Sequence, residues 1–309
     1  MCRRLFACDN RFMDDTARMR LDRGSAMGLA DRIPPQGYFV VSAIFHYLGP
    51  SFAVMLFAQV QPLGVAWLRI ASAAMVLGVW RQPWRCFGLL TRPERRTIIA
   101  LGVVLAGMNS LFYLAIRRLP LGTVGAIEFL GPIGLAAAGI KSVRNTLALL
   151  IAIAGVAILT DVRFAGTPLG YVFAFANCAL FVIYIVLGHR ISASGGIDRL
   201  GMAMLIAALA AFPLGITDAA PAFLRPGLLL AGIGVGISSS VIPYVSDQLA
   251  MAKLPRATFA LFLAILPATA TATGFLVLKQ VPTLLELVSV GLVVLAVALH
   301  RPAPGAQSN

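Results

Sequence analysis

The sequence predicts an all-α membrane protein with ten transmembrane helices arranged as two inverted five-helix repeats. Three observations carry that prediction: an apolar composition, ten apolar runs of membrane-spanning length, and a motif that recurs five runs later. Of the 309 residues, 59% are hydrophobic and only 12% are charged, and the mean hydropathy is +0.88. A soluble domain cannot bury that much apolar surface, and continuous rather than alternating apolar runs exclude a β-barrel.

The N-terminal segment, residues 1–36, is polar and rich in arginine. It has neither an apolar core nor a cleavage motif, so it is typical of neither a signal peptide nor a membrane span. We expect a disordered cytoplasmic tail, in which Met19 and Met27 are alternative start residues. Residues 302–309 are expected to form a second cytoplasmic tail.

Ten apolar runs follow, each close to the ~20 residues that are needed to cross the hydrocarbon core of a bilayer. The first five form a predicted repeat over residues 37–160, and the other five form a second repeat over residues 161–301. The connections between them are too short to hold a soluble domain. The runs lie at 38–57, 62–80, 97–116, 121–140, 145–160, 168–187, 200–216, 227–249, 257–278 and 283–300.

The basic residues predict the orientation in the membrane. Arginines are concentrated in the N-terminal tail and in the segment 81–96, whereas the segments expected on the opposite side hold only Arg117, Arg118, Arg163, Arg225 and Lys279. Because cytoplasmic loops carry the excess of Lys and Arg, both termini are predicted to be cytoplasmic, in the inner membrane. The net charge of +13 therefore reflects topology. Nucleic-acid binding is not expected, since the bases form no patch interleaved with aromatic residues.

A repeated motif predicts the internal symmetry. The segment AIRRLPLGTVGAIEFLGP (115–132) aligns without gaps to AMAKLPRATFALFLAILP (250–267). The first copy introduces the fourth run and the second introduces the ninth. Repeats of five spans must run in opposite directions because five is odd. Inverted repeats are typical of secondary transporters that work by alternating access.

Two ionisable residues lie at equal depth within predicted spans. Arg69 and Glu128 are each eight residues from the expected outer end of their runs, which places both about 12 Å below the surface. A charge at mid-helix costs about 2.5–3.5 kcal/mol on insertion scales, so each side chain is expected to face a cavity or a partner. The two could pair with each other as a structural lock, or both could bind one zwitterionic substrate.

Prolines predict breaks in three spans. Pro132 has no N–H to donate to the carbonyl four residues back, which belongs to Glu128 itself. Irregular backbone survives in lipid only where it is buried in protein or lines a water-filled cavity. Pro267 occupies the matching place in the second repeat, and Pro243 is expected to kink the eighth span. Each proline could also serve helix packing alone.

A second carboxylate, Asp247, lies near the expected inner end of the eighth span. It could belong to a proton pathway, or it could reach the interface and pair with Lys253. His46 could relay protons or be a neutral core histidine. Further polar residues could line a pathway or form hydrogen bonds between helices: Asn109, Tyr113, Asn177, Tyr184, Ser239, Ser240, Tyr244 and Gln248.

No catalytic or metal-binding motif is present in the sequence, so an enzyme is not expected and no cofactor is predicted. The four cysteines have neither metal-ligand nor disulfide spacing. Because the chain lacks a nucleotide-binding motif, uphill transport would have to draw on an ion gradient.

The segments GMNSLFYLAIRRLPLGTVGAIEFLGP (107–132) and PY…D…A…KLPRATF (243–259) resemble the drug/metabolite transporter superfamily with its paired EamA repeats. Within it, the chain is most similar to the bacterial threonine/homoserine exporters, and the resemblance covers about residues 37–300. It implies ten helices around a central cavity and export driven by the proton motive force. The matching positions are Asn109, Tyr113, Glu128, Pro132, Arg69, Pro243, Tyr244 and Pro267.

Two departures from that family concern the acids. The exporters usually have glutamate at the position of Asp247, and they often carry an acid where this chain has Leu266. The second departure puts a two-acid coupling scheme in doubt. The first span, with His46 and Tyr47, also departs from the small and polar residues of the family.

The sequence therefore predicts an inner-membrane exporter of threonine, homoserine or a related small amino acid, acting by proton-coupled alternating access. In this hypothesis Glu128 alternately holds a proton and the substrate ammonium group, while Arg69 orients the substrate carboxylate. The partners are a small-molecule substrate, protons and the lipid bilayer, with a homodimer as a possible assembly. The alternatives are an exporter of lipophilic cations, drugs or another metabolite, and a membrane scaffold or receptor that transports nothing.

Overall fold

The structure is a computed structural model that describes residues 35–88, 90–137, 143–161, 168–192, 195–254, 259, 263 and 265–299. The two predicted tails therefore lie almost entirely outside the described residues. The first half of the chain forms α1 (Pro35–Leu56), α2 (Pro62–Arg81), α3 (Arg92–Ile116), α4 (Leu121–Ala137) and α5 (Val143–Asp161), with a single helical turn at Trp84–Phe87.

The second half forms α6 (Pro168–Ser192), α7 (Gly196–Phe223), α8 (Pro226–Lys253), α9 (Ile265–Leu278) and α10 (Leu284–Leu299). Within α8 the residues Ile237–Val241 adopt π-helical geometry. Each predicted apolar run overlaps a helix, although most of residues 257–264 in the ninth run and 138–140 in the fourth lie outside the described residues. The helix α7 is longer than the predicted 200–216 at both ends. The difference arises because hydropathy marks only the part buried in hydrocarbon, whereas helical hydrogen bonds continue beyond it.

Six of the described helices are long and apolar enough to cross a membrane: α1, α2, α3, α6, α7 and α8. Shorter apolar stretches lie in α5, α9 and α10. The prediction of an all-helical membrane protein is therefore confirmed for the described residues. That all ten helices cross the bilayer stays a prediction.

Local sequence explains where the helices begin. Proline stands in the first turn of α1, α2, α3, α6 and α8, where its missing N–H is one that the helix would leave unpaired. The start of α3 also has a capping box, in which Thr91 and Glu94 exchange hydrogen bonds. After α2 the chain turns through Gln82, which has a left-handed backbone with φ of 46°.

The same helix–helix contacts occur in both halves of the chain. If each helix is replaced by its equivalent in the other half (α1 by α6, α2 by α7 and so on), each of the following contacts becomes a contact that the structure also contains. Three helices pack on their own equivalents in the other half. The α2–α7 and α5–α10 contacts of this kind are the most extensive, and α4 also packs on α9. The α3–α6 contact is matched by α8 on α1, the α4–α6 contact by α9 on α1, and the α2–α3 contact by α7 on α8. As a result, α1 and α6 occupy equivalent central positions, each packed between the fourth and third helices of the other half.

Two ion pairs join the N-terminal end of α7 to neighbouring helices. Arg81 Nε lies 2.5 Å from Asp198 Oδ1, and Arg199 Nη2 lies 2.6 Å from Glu94 Oε1. Both pairs lie at the end of the bundle where the sequence predicts the cytoplasm. They are part-exposed, and such pairs contribute little to stability.

The α2–α7 contact depends on a close approach at Gly215. A Cβ added there would lie 2.4 Å from Trp67 Cβ and 2.6 Å from the Leu63 carbonyl oxygen. We expect Gly215→Ala to lower the free energy of unfolding by about 1–3 kcal/mol through overpacking, measured in detergent. Gly291→Ala in α10 is the matched control, because a Cβ there meets nothing within 4 Å. Both variants gain the same helix propensity, so equal stabilities would contradict the packing argument.

Candidate functional site

The Glu128 carboxylate lies inside the bundle and is held from two sides. Its side chain projects from α4 and is only 3% exposed. Tyr47 on α1 donates its hydroxyl to Oε2 at 2.8 Å, and Asn177 on α6 donates Nδ2 to Oε1 at 2.8 Å. Each carboxylate oxygen therefore accepts a bond from a different helix, which is the arrangement that a buried carboxylate requires.

His46 lies beside the same carboxylate. Its Nε2 is 3.9 Å from Glu128 Oε2, which is too long for a hydrogen bond but close enough for one after a small shift. The ring packs against Tyr47 and Phe181, with centroid separations of 5.2 and 6.1 Å. The structure thus brings the sequence-predicted histidine to Glu128.

Asp247 on α8 forms a second buried acid centre. Ser42 on α1 donates to Oδ1 at 2.5 Å, and Tyr184 on α6 donates to Oδ2 at 3.2 Å. The side chain is 2% exposed, so it does not reach the interface as one of the two interpretations from the sequence proposed. Its hydrogen bonds go to these two hydroxyls, and the Lys253 ammonium instead lies 5.4 Å from the Tyr38 ring centroid.

The helices α1 and α6 each provide one donor to each acid. Along α1 the donor to Asp247 comes five residues before the donor to Glu128, a rise of about 7.5 Å. Along α6 the order is reversed, and Tyr184 comes seven residues after Asn177, a rise of about 10.5 Å. The two acids therefore lie at different depths between a pair of helices that run in opposite directions.

Arg69 on α2 is held by α8 and by two aromatic rings. Its Nε donates to Ser240 Oγ at 2.7 Å, and its Nη2 donates to the Ser239 carbonyl. The guanidinium carbon lies 5.6 Å from the Tyr113 ring centroid and 5.9 Å from that of Tyr244. Among the described residues no ion pair within 4 Å joins Arg69 to Glu128, so the direct lock considered from the sequence is not formed.

The prolines lie four residues after site positions in three helices. Pro132 follows Glu128 in α4, Pro50 follows His46 in α1, and Pro243 follows Ser239 in α8. In α8 the consequence is visible, because Arg69 donates to the Ser239 carbonyl that Pro243 cannot bond in a regular helix. The π-helical turn Ile237–Val241 ends two residues before that proline, and such turns are frequent at functional sites. Pro267 lies in α9, four residues after the buried Leu263, which stands in the second repeat where Glu128 stands in the first.

The polar residues of α3 lie beside Tyr244 and Arg69. Asn109 donates Nδ2 to the Leu105 carbonyl at 2.7 Å and to the Tyr244 hydroxyl at 3.3 Å. Asn177 Oδ1 is buried and has no hydrogen-bond partner among the described residues, and the buried Tyr113 hydroxyl lies near Arg69 and Ser239 without a well-formed hydrogen bond to either. Unsatisfied buried polar atoms are rare, and they are expected where a ligand or an ion binds.

A glycine makes room for the Tyr47 phenol beside α4. A Cβ at Gly125 would lie 2.7 Å from Ala270 Cβ and 3.1 Å from the Tyr47 hydroxyl oxygen. Glycine at this position, one turn before Glu128, therefore allows α1 and α9 to approach α4 together. Small residues serve this purpose in many membrane helix contacts.

A pocket of about 460 Å³ opens at the end of the bundle where the sequence predicts the outside. It is lined by Val54, Phe57, Ile116, Arg117, Arg118, Leu119, Pro120, Gln280 and Val281. None of these residues belongs to the two acid centres. Because Glu128, Asp247 and Arg69 are almost completely buried, helices must move before a solute can reach them. Within the described ranges no group of three His, Cys, Asp or Glu residues could hold a metal ion.

Ser42 and Tyr47 are site residues that the sequence reasoning did not select. A signal was present, because Ser42 and His46 are four residues apart on one face of a largely apolar helix, and Tyr47 directly follows His46. Asn177 and Tyr184 were among the polar residues considered, but nothing in the sequence indicated which acid each would bind. All four assignments depend on packing between distant segments.

Comparisons with known proteins identify the family and the fold of the chain. Residues 168–300 match the EamA-like transporter family. The chain is 32% identical over 252 residues to the threonine/homoserine exporter RhtA of Escherichia coli (strain K12), covering 80% of this chain and 84% of that protein. It is 29% identical over 255 residues to the threonine/homoserine exporter RhtA of Salmonella typhimurium (strain LT2), with the same coverage. A crystal structure of another protein, 19% identical, superposes with a TM-score of 0.59 over 85% of this chain and 96% of that one, which shows the fold.

The hydrogen bond from Tyr47 to Glu128 is expected to stabilise the protein. Tyr47→Phe should lower the free energy of unfolding by about 1.5–3 kcal/mol, because a buried carboxylate loses one of its two donors. Tyr113→Phe is the matched control, since it removes a buried hydroxyl that has no partner among the described residues. We expect that change to be neutral or stabilising in thermal unfolding of detergent-solubilised protein. Equal losses in both variants would mean that the Tyr47 bond contributes nothing specific.

Proposed function

We propose that this chain, which belongs to the EamA-like transporter family and to its threonine/homoserine exporter-like branch, exports small amino acids of the threonine and homoserine class by proton-coupled alternating access. Its relatives and its apolar helices make it a multi-pass inner-membrane protein and a small-molecule exporter rather than an enzyme. The observation that carries the finer proposal is the buried Glu128 carboxylate, held by one donor from each of the two central helices.

The architecture that we propose is two inverted five-helix repeats, over residues 37–160 and 161–301, with both termini in the cytoplasm. Two findings support this architecture. The helix contacts of one half recur between the equivalent helices of the other half, and α1 and α6 supply donors to the two acids in opposite order along the chain. The basic residues of the tail and of the 81–96 segment support the orientation.

The substrate ammonium group and the transported proton would share Glu128. A carboxylate that is removed from water needs either a cation beside it or a bound proton. The substrate ammonium group and the proton can therefore replace each other at the two carboxylate oxygens of Glu128. The burial of the Glu128 side chain supports this role, because a carboxylate exposed to water would be stabilised by water and would need neither a cation nor a proton. Exchange of one ligand for the other then couples export to the proton gradient.

The substrate carboxylate would bind Arg69 with the Tyr113 hydroxyl. The bonds from Arg69 to Ser239 and Ser240 orient the guanidinium but use only its Nε and Nη2 atoms. Guanidinium has five N–H donors, so donors remain for a bidentate bond to a carboxylate. The unpartnered Tyr113 hydroxyl beside it supports the assignment.

Asp247 is proposed as the inner member of the proton pathway, with Asn109 and Tyr244 between it and Arg69. The ring contact of Tyr184 with Tyr244, at 5.5 Å between centroids, supports a continuous polar and aromatic path. The breaks at Pro132, Pro243 and Pro267 are proposed as the points where helices bend during alternating access. A homodimer is compatible with this mechanism but is not required by it.

Two alternatives predict other behaviour. An exporter of lipophilic cations would use the same buried Glu128 carboxylate and aromatic rings, but the buried Arg69 charge would oppose a cation. A scaffold or receptor would need none of the buried acids.

The central role of Glu128 is tested by transport. In proteoliposomes with an imposed pH gradient, we expect Glu128→Gln to reduce homoserine transport at least a hundredfold, because a neutral amide can bind neither a proton nor an ammonium charge. Glu94→Gln is the matched control, since Glu94 caps the start of α3 far from the site. Unchanged proton-driven flux in Glu128→Gln would refute the assignment.

The cargo is tested by growth. A sensitive strain that expresses the protein should tolerate inhibitory homoserine and threonine but gain no protection from ethidium. Protection from ethidium alone would favour the lipophilic-cation alternative, and protection from neither together with no flux in vesicles would favour a scaffold. The same strain with Glu128→Gln provides the control for expression.

A further inference from the structure

Asn177 has two polar ends, and only one of them has a partner. Its Nδ2 donates to Glu128 Oε1 at 2.8 Å, while its Oδ1 is buried without a partner among the described residues. Rotating the amide would exchange the two ends without adding a partner, so one end is unsatisfied in either orientation. Because both atoms sit on one amide, the unsatisfied end lies next to the Glu128 carboxylate.

The partner of Asn177 depends on whether Glu128 is ionised. An ionised carboxylate accepts hydrogen bonds only, so it selects the Nδ2 end and leaves the Oδ1 end as an acceptor. A protonated carboxyl group has one O–H to donate, so it can select the Oδ1 end instead. The amide orientation therefore follows the protonation state of Glu128.

We propose that Asn177 completes the ammonium subsite and makes proton and substrate mutually exclusive at Glu128. This inference deepens the proposed function and rests on it. With Glu128 ionised, a primary ammonium group binds between the carboxylate and Oδ1, two acceptors supplied by α4 and α6. With Glu128 protonated, the amide rotates and Oδ1 accepts a hydrogen bond from the carboxyl O–H, so the ammonium group loses both the negative charge and the neutral acceptor.

The surroundings of Glu128 leave this role to Asn177. The Tyr47 hydroxyl, on the opposite carboxylate oxygen, is already bonded, and His46 lies at 3.9 Å. The described part of α9, which also packs on α4, has no titratable side chain. Among the described residues, the titratable or charged groups that interact with Glu128 from the other helices are His46 and Tyr47 of α1, Arg69 of α2, Cys178 of α6 and Tyr244 of α8.

The test is homoserine counterflow in proteoliposomes at equal pH on both sides, measured at pH 6 and at pH 8. For the wild type we expect KM to rise as pH falls, because protons displace the ammonium group. Asn177→Leu has a similar shape but neither polar end. We expect its KM at pH 8 to rise about tenfold or more, the effect of losing a hydrogen bond to a charged group, and the ratio of KM between the two pH values to shrink.

Three controls separate the outcomes. Phe175→Leu, which changes an exposed side chain two residues earlier on α6, should keep the wild-type KM and pH ratio and so reports on disturbance of the helix. Asn177→Ser, which is smaller and polar, replaces Asn177→Leu if that variant does not fold, and should shift KM in the same direction. Asn177→Gln retains both amide ends and should partly restore the pH ratio.

A wild-type KM and pH ratio in Asn177→Leu would overturn this inference while leaving the proposed function intact, provided that Glu128→Gln still abolishes exchange. A wild type that exchanges no homoserine would instead overturn the proposed function. A rise in KM with an unchanged pH ratio would show that Asn177 only positions Glu128, and the exclusion mechanism would be wrong.

Discussion

The central constraint on this molecule is a carboxylate in the middle of an apolar bundle. Glu128 cannot remain there without donors, and it receives one from each of two helices that lie far apart in the chain. Those donors require α6 to pack on α4 and the Tyr47 side chain of α1 to reach it, and Gly125 leaves room for the Tyr47 phenol. The packing of the centre thus follows from satisfying one acid.

The second acid extends the same arrangement along the membrane normal. Asp247 also takes one hydroxyl from α1 and one from α6, so the two helices hold both acids at once. A change at either acid alters the hydrogen bonds of helices that also contact the other. Such shared partners are a physical route by which events at two depths become coupled.

Backbone breaks and side chains act together around these acids. The proline in α8 removes a helix hydrogen bond at Ser239, and Arg69 satisfies the carbonyl that is released. The guanidinium is consequently held in place by backbone as well as by the Tyr113 and Tyr244 rings. A positive charge that is positioned in this way, beside an unsatisfied tyrosine hydroxyl, suits recognition of a carboxylate better than recognition of a second cation.

The sequence by itself determined the class of the protein, the positions of the helices and the residues whose burial would demand a partner. Hydropathy, helix-starting prolines and isolated charges are local properties, so Glu128, Arg69 and the break at Pro132 could be identified from them. Only the tertiary structure decided the partners. It separated Arg69 from Glu128 and brought Ser42, Tyr47, Asn177 and Tyr184 to the acids. Those contacts depend on which helices pack together and in what register. Hydrophobicity does not predict this packing, because it is similar for all helices that are long enough to cross the lipid.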